Sequence, residues 1–484
     1  MLKAGVSRKR SAQNAKPSGF GLIQLLCVLL EYSGSNSWNY NFNNDNVNNN
    51  NNRNNNNYVR AVRGFSEAWA VTKEKSYSPF FRRNMSQYSD FSQNFLFSEL
   101  CPYITDEDMY NAYYDCRKHK RNSPGALEFE LNYEHNLAVL KDEINNGTYK
   151  PGNYSAFIVP KPTPREIFAA EFRDRIVHHL VVNRINPYLE KRLIYDVYAC
   201  RIGKGTHVGI KRLRRFMTAC TENYTKEAWC LKLDLKSFFA SIDRELLWKR
   251  LKTYLEATYN RADKAIILRL VKEIVLKKPT EGAIRKSPLS MWEILPPHKS
   301  LFNAKKNHGL PIGNLTSQIF ANFLLSPLDH FVKHDLGIRY YGRYVDDFFL
   351  IHQDKEYLKA CLKKIEQFLI NEIGVSLNPR KVILQRVRHG VKFLGVIVSP
   401  GRMVNIARTE KNFEEVVNEY NKKAKRKELT KEEKQEFFAR INSYLGIMGH
   451  YDTYKKRQAI TDQIDRRIMF HFATEPDLKK ITRR

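Results

Sequence analysis

Two adjacent aspartates, Asp346 and Asp347, break an otherwise apolar run, IRYYGRYVDDFFLIH, over residues 338–352. Charges seldom interrupt such a run, because burying an unpaired carboxylate is costly. The pattern predicts two strands joined by a tight turn at Val345-Asp346. One reading of the pair is turn propensity, since Asp favours turns. A second acidic residue favours another. Asp234 ends the alternating run AWCLKLD (228–234), which predicts a buried strand. Aspartates fixed at strand ends supply hard oxygen donors, and such donors suit divalent cations that act on phosphates.

The remaining pattern frames these three residues. Phe95–Glu190 reads as mostly helical, interrupted by an extended run at Tyr154–Pro160 and a basic loop, KPTPRE. Gly309–Gly313 forms a Gly/Pro turn opening the apolar helix LTSQIFANFLL, which Pro327 is expected to kink or end. Beyond residue 400 the pattern is helical and charged. Phe413, Val416, Val417 and Tyr420 form a stripe there, and Thr430 with Glu433 forms a capping box.

Charge and cysteine usage narrow the class. The net charge is +30 over 484 residues, which favours a polyanionic partner. Seven scattered cysteines with no Cys-x-x-Cys pair fit a reducing compartment better than a disulfide framework or a zinc module. His178-His179 lie in the helical run RDRIVHHLVVNRI and read as structural. Basic residues 1–16 precede the apolar run Phe20–Leu30, too short to span a bilayer. Residues 36–57 then carry fifteen asparagines in twenty-two positions, a composition that predicts disorder. A boundary is placed near Met85.

These motifs resemble those of reverse transcriptases. Tyr344-Val345-Asp346-Asp347 resembles the Tyr-x-Asp-Asp box, and Asp234 with Phe239 the first catalytic box. VPKPTPREIFAAEFRDRIVHH is similar to the fingers boxes, LNPRKVILQ to the box after the catalytic hairpin, and VKFLGV to the primer grip. Within the group II intron-like superfamily, the box LPIGNLTSQ (310–318) resembles that of diversity-generating retroelements, as do YDVYACRIGKGTH, HFVKHDL and GHYDTY. That family copies a template-repeat RNA with errors opposite adenine, and the cDNA diversifies a variable gene.

The resemblance implies an α+β right-hand polymerase fold. It places a leader at residues 1–84, fingers at 85–230, an antiparallel-sheet palm at 231–400 and a helical thumb at 401–484. Asp234, Asp346 and Asp347 would be catalytic and would bind two magnesium ions, with manganese as a substitute. Lys161 and Arg165 would hold the triphosphate, or else be solvated loop charge. Phe239 would be a steric gate, or else a core aromatic. Ile312, in place of a glutamine, and Gly313 would line the nucleotide site, with Lys381 completing it. Phe393, Leu394 and Gly395 would form the primer grip. Expected partners are template-repeat RNA, cDNA, deoxynucleotides and a small basic accessory protein, with no membrane, in the cytoplasm of a bacterium or phage host. Residues 36–63 would be a translated template repeat, or else a polar linker. The alternatives are an intron or retron enzyme without a mutagenic role, and a catalytically idle RNA-binding defence protein.

Overall fold

The computed structural model describes residues 102–118, 123–160 and 163–484. The leader expected at 1–84, the Met85 boundary and Lys161 lie outside the described residues. Residues 106–260 and 264–484 make one compact unit, described below by itself.

It begins with helices α1 (Asp106–Arg117) and α2 (Tyr133–Asn146), followed by β1 (Ser155–Val159) and β2 (Arg165–Ala169). The two strands pair antiparallel, Ser155 opposite Ala169 and Val159 opposite Arg165. Helix α3 (Phe172–Arg192) packs on α1 because Ile176, Val177, Leu180, Val181, Ile185 and Leu189 recur at helical spacing and are buried. Glu166 of β2 is buried but satisfied. It accepts from Trp292 Nε1 and Ser300 Oγ at 2.8 Å each and from the Leu301 amide at 2.6 Å. Those bonds offset the cost of burying its charge.

Helix α4 (Thr206–Cys220) precedes β3 (Trp229–Asp234), which is the strand expected at 228–234. Helices α5 (Arg244–Thr258) and α6 (Lys264–Leu276) follow, then the two-residue strand β4 (Ile284–Arg285), parallel to β1. Helix α7 spans Leu315–His330 and does not end at Pro327. The lost Pro N–H costs about 3 kcal/mol in a helix interior, yet Phe320, Ala321, Phe323, Leu324, Leu325 and Leu328 are all buried. That burial outweighs it.

Strands β5 (Tyr340–Tyr344), β6 (Asp347–His352) and β7 (Ile383–Arg386) join β3 in an antiparallel sheet ordered β5-β6-β3-β7. Helix α8 (Lys355–Phe368) lies between β6 and β7 in sequence, capped by Asp354, whose carboxylate accepts from the Glu356 and Tyr357 amides. A second sheet holds β8 (Val391–Phe393), β9 (Val396–Ser399) and β10 (Arg402–Asn405). The strands of these two sheets begin at Trp229 and close at Asn405.

The C-terminal part holds α9 (Ala407–Arg426) and α10 (Lys431–Met448). The stripe Phe413, Val416, Val417 and Tyr420 is buried against Phe437, Ile441, Leu445 and Met448. Each such side chain contributes roughly 1.5–3 kcal/mol on full burial. Thr430 and Glu433 form the expected capping box. This part is not wholly helical: β11 (Phe472–Thr474) and β12 (Ile481–Arg483) form a hairpin that α10 meets. Phe472 and Ile481 are buried in the same core. No helix among the described residues is long and apolar enough to cross a membrane.

The two halves meet at the turn after α10. Asp452 donates its amide to the Met403 carbonyl, and its Oδ2 accepts from the Met403 amide, both at 2.8 Å. His207 Nδ1 lies 2.8 Å from Tyr451 Oη, and the His207 and His450 rings sit 3.9 Å apart. GKGTH and GHYDTY, distant in sequence, therefore form one clasp.

Candidate active site

Strand register brings the three aspartates to one edge. Asp234 stands opposite Asp347 across β3 and β6, and Tyr344 stands opposite Asp347 across β5 and β6. Asp346 occupies the second position of the two-residue loop. Val345, the first position, has φ +56°. A positive φ is costly for a β-branched residue. It is the geometry that a type II′ hairpin requires at its first loop position.

What holds that loop is buried behind it. Arg343, fully buried, donates to Asp329 Oδ1 at 2.7 Å and Oδ2 at 2.6 Å, to Asn322 Oδ1 at 3.1 Å and to the Val345 carbonyl at 2.9 Å. Tyr341 Oη donates to Asp329 Oδ1 at 2.7 Å. Asn322 Nδ2 donates to the Ala199 carbonyl at 2.8 Å. A paired, hydrogen-bonded buried charge is tolerable where an unpaired one is not. The Arg343 amide and carbonyl also bond Asp196 and Tyr198, which adds the YDVYAC segment alongside β5. Gly342 leaves room there for the Tyr198 ring and hydroxyl, where a Cβ would collide.

The electrostatics suit a cation-binding edge. Burial, then the neighbouring Asp234, push the Asp346 carboxyl up to about 6. Burial also raises Asp347, with Lys232 opposing. Lys381 Nζ reaches Asp234 Oδ1 at 2.8 Å and Oδ2 at 2.9 Å. Lys232 Nζ lies 3.2 Å from Asp347 Oδ1, close enough for an ion pair. That buried oxygen still has no hydrogen-bond partner, so the contact is one of charge without hydrogen-bond alignment. Among the described residues, no three acidic, His or Cys side chains converge tightly enough to hold an ion as they stand. The donor chemistry nonetheless fits a hard divalent ion, since three carboxylates meet at this edge and one buried oxygen of Asp347 has a charged neighbour but no aligned hydrogen bond.

The other expected residues divide between those near this edge and those elsewhere. Phe239 is half-buried, its ring 5.5 Å from that of the buried Phe238, and its carbonyl accepts from the Leu310 amide at 2.8 Å. The same loop continues to Ile312, half-buried, whose carbonyl accepts from the Phe168 amide of β2 at 2.8 Å. Gly313 has φ +123°, and a Cβ there would lie 2.9 Å from Ile167 Cγ2 and 3.1 Å from the Phe168 carbonyl. Glycine is therefore required. Arg165 is exposed at the start of β2. Phe393 is fully buried and packs edge-on against Phe349 at 5.0 Å. Leu394 (φ +48°) and Gly395 (φ +83°) make the turn between β8 and β9; both are half-buried, and Leu394 packs against the core.

Sequence reasoning missed Lys232, Arg343, Asp329 and Asn322. A signal existed for the first two: each is a cation inside a strand whose neighbours are apolar.

Residues 159–398 match the family model for reverse transcriptase (RNA-dependent DNA polymerase). The chain carries a reverse-transcriptase domain. The domain is that of an RNA-directed DNA polymerase, a nucleotidyltransferase, and its fold is α+β. The chain is 22% identical over 293 residues to protein YkfC of Escherichia coli, across 54% of this chain and 70% of that one. It is 22% identical over 209 residues to a COX1/OXI3 intron 1 protein of Saccharomyces cerevisiae, across 43% of this chain and 21% of that one. Among solved structures it is similar to the telomerase of Candida tropicalis, with 14% identity and a TM-score of 0.39 over 52% of this chain and 55% of that one.

Proposed function

We propose that this reverse transcriptase copies a template-repeat RNA into adenine-mutagenised cDNA, as the polymerase of a diversity-generating retroelement. The observation that carries its chemistry is the register of Asp234 against Asp347, with Asp346 in the adjoining turn. These residues would hold two magnesium ions, which when bound supply charge neutralisation and activate a 3′ hydroxyl. Lys161 and Arg165 would grip the triphosphate. Phe239 would exclude a 2′ hydroxyl, and Lys381 would balance charge at Asp234. The Leu394–Gly395 turn would steady the primer.

Ile312 supports the mutagenic part. Its apolar side chain offers no hydrogen bond in the loop joining Phe239 to β2. A nascent pair that loses such a bond is less constrained, and a satisfied polar partner is worth about 0.5–1.5 kcal/mol. The Asn-rich segment at 36–57 suits a translated template repeat, since both asparagine codons begin with two adenines. On this reading 85–230 are fingers, 231–400 palm and 401–484 thumb. A small basic accessory protein would assist, in the cytoplasm of a bacterium or phage host.

Primer extension on an RNA template with magnesium, followed by product sequencing, tests the reading. Misincorporation concentrated opposite adenine is the expected result. A second reading, an intron-type enzyme with no mutagenic role, is favoured by the likeness to the yeast intron protein. Uniformly low error across the four template bases would establish it instead.

A further inference from the structure

Helix α4 has two unlike faces. Ile210, Leu213, Phe216 and Met217 are buried in the core beneath the sheet face that bears the aspartates. Strand alternation puts Lys232 and Cys230 on the face of Asp234, and puts Phe349 and Ile351 on that of Asp347. Cys230, Phe349 and Ile351 belong to that same core, so α4 covers this face. On its other side Lys211, Arg214, Arg215 and Thr218 fall at helical spacing and share one stripe.

These four, with Glu222 and Asn223, line an open cavity of 850 Å³. Its only carboxylate, Glu222, is engaged by Lys226 at 2.7 Å. Among the described residues, Lys211, Arg214 and Arg215 have no ion pair. The intervening Arg212 behaves oppositely, held by Asp196 through bonds of 2.8 and 3.1 Å. Arg212 is structural, while its neighbours keep three cations uncompensated along one wall of a concave surface. Unpaired clustered cations raise the local potential and attract a polyanion.

Position suggests which polyanion. A Cβ on Gly209, near the start of α4, would lie 3.5 Å from Leu394 of the β8–β9 turn. Phe216, two turns on, meets Tyr340 of β5 with ring centroids 5.6 Å apart. The stripe therefore starts beside the turn near the aspartate-bearing face and runs away along α4. Met403, at the joint with the C-terminal part, also lines the cavity.

We infer that this groove holds the sugar-phosphate backbone of the nucleic acid engaged by the polymerase, outside the carboxylate edge. Three cations within little more than one helical turn match a ligand carrying repeated charges along a line. The Thr218 hydroxyl and the Asn223 amide add neutral hydrogen-bonding groups of the kind that meet phosphate and sugar oxygens. Lysine and arginine contacts to phosphates carry no sequence information, so the binding would be sequence-independent. The inference rests on the reverse-transcriptase reading for the identity of its ligand.

The test uses the full chain with Lys211→Ala, Arg214→Ala and Arg215→Ala combined, and a DNA primer annealed to an RNA oligonucleotide as probe. Lys211 and Arg215 are exposed and Arg214 is half-buried, and among the described residues none has an ion pair, so thermal melting should stay near wild type. Binding is followed by fluorescence anisotropy from about 50 to 200 mM salt, where each phosphate contact contributes roughly 0.7–0.9 to the log–log slope. The expected result is a slope shallower by about 2 and affinity at the low-salt end weaker by about tenfold or more. Lys363→Ala with Lys364→Ala, exposed on α8, serves as the control and should leave the slope unchanged.

A triple variant with the wild-type slope overturns the proposal. So does a variant that keeps the slope but loses binding to a polyglutamate probe, which would assign the groove to an acidic protein. Absence of any primer extension by the wild-type protein would instead strike the polymerase reading, and the slope would still report on the groove.

Discussion

The carboxylate edge and the C-terminal helical region are built on contrasting principles. At the edge, charges are buried: Arg343 and Asp329 are both fully inside, Asp346 is raised by burial, and Val345 is held at positive φ. From residue 407 on, the interior is mainly an apolar core and most charges lie outside, as in the pair of Arg440 with Glu419 at 3.0 Å; Arg457 is the buried exception, donating to the Asp477 carbonyl at 2.7 Å. Buried polar networks fix geometry without adding much stability, whereas apolar packing does the reverse. The molecule spends the first where carboxylates must be aimed and the second where a helical body must simply hold together.

The largest expected effect lies at the carboxylates. Asp347→Ala should abolish primer extension, while thermal melting should stay near wild type, because the change removes a buried and partly unsatisfied group. Wild-type rates in the purified variant would show that the edge does not carry the chemistry. Next comes the network behind it. Arg343→Met leaves Asp329 buried without its partner and should cost about 3–5 kcal/mol in chemical denaturation. Arg440→Ala, in the exposed pair, should cost less than about 1 kcal/mol. Equal losses would erase the contrast between the two regions.

A third variant sharpens the proposed mutagenic role. Ile312→Gln should lower misincorporation opposite adenine by several-fold in sequenced products, with little change in stability. An unaltered error spectrum would remove Ile312 from the account. The smallest effect concerns the clasp joining the regions. His207 is lowered from its ordinary range by burial first, then by His450 and Lys211, while Tyr451 accepts or donates at Nδ1. A depressed base favours the neutral form in the fold, so its contribution is complete above about 6.5 and declines as pH falls. Asp346, raised by burial, gains stability over the same fall in pH and opposes this, so the test is the difference: wild type should lose melting temperature relative to His207→Gln between pH 8 and pH 5.5. A pH dependence identical in the variant would place the titration elsewhere.

Much of the edge could be read from local pattern. Alternation in AWCLKLD and the charge break at Asp346-Asp347 act over a few residues, as do the Thr430–Glu433 box and the 413–420 stripe. What escaped depends on residues far apart in sequence. Arg343 finds Asp329 only once β5 lies on α7. The continuation of α7 through Pro327 depends on the burial of its flanks, and the β11–β12 hairpin is short enough to carry no periodicity. Phe393 reads as part of an exposed motif but is drawn inward by Phe349. The clasp of His207 with His450 and Tyr451 spans two motifs that say nothing of each other in sequence.

The Arg343–Asp329 pair has a consequence for how such enzymes can be recombined. The hairpin bearing the aspartates and helix α7 each carry half of one buried charge pair, so neither is a portable module. A chimaera that imports the hairpin onto a helix lacking Asp329, or the helix beneath a strand lacking Arg343, inherits an orphaned charge at its centre. Crossovers between Asp329 and Arg343 should therefore be purged, and domain grafts should take both elements together.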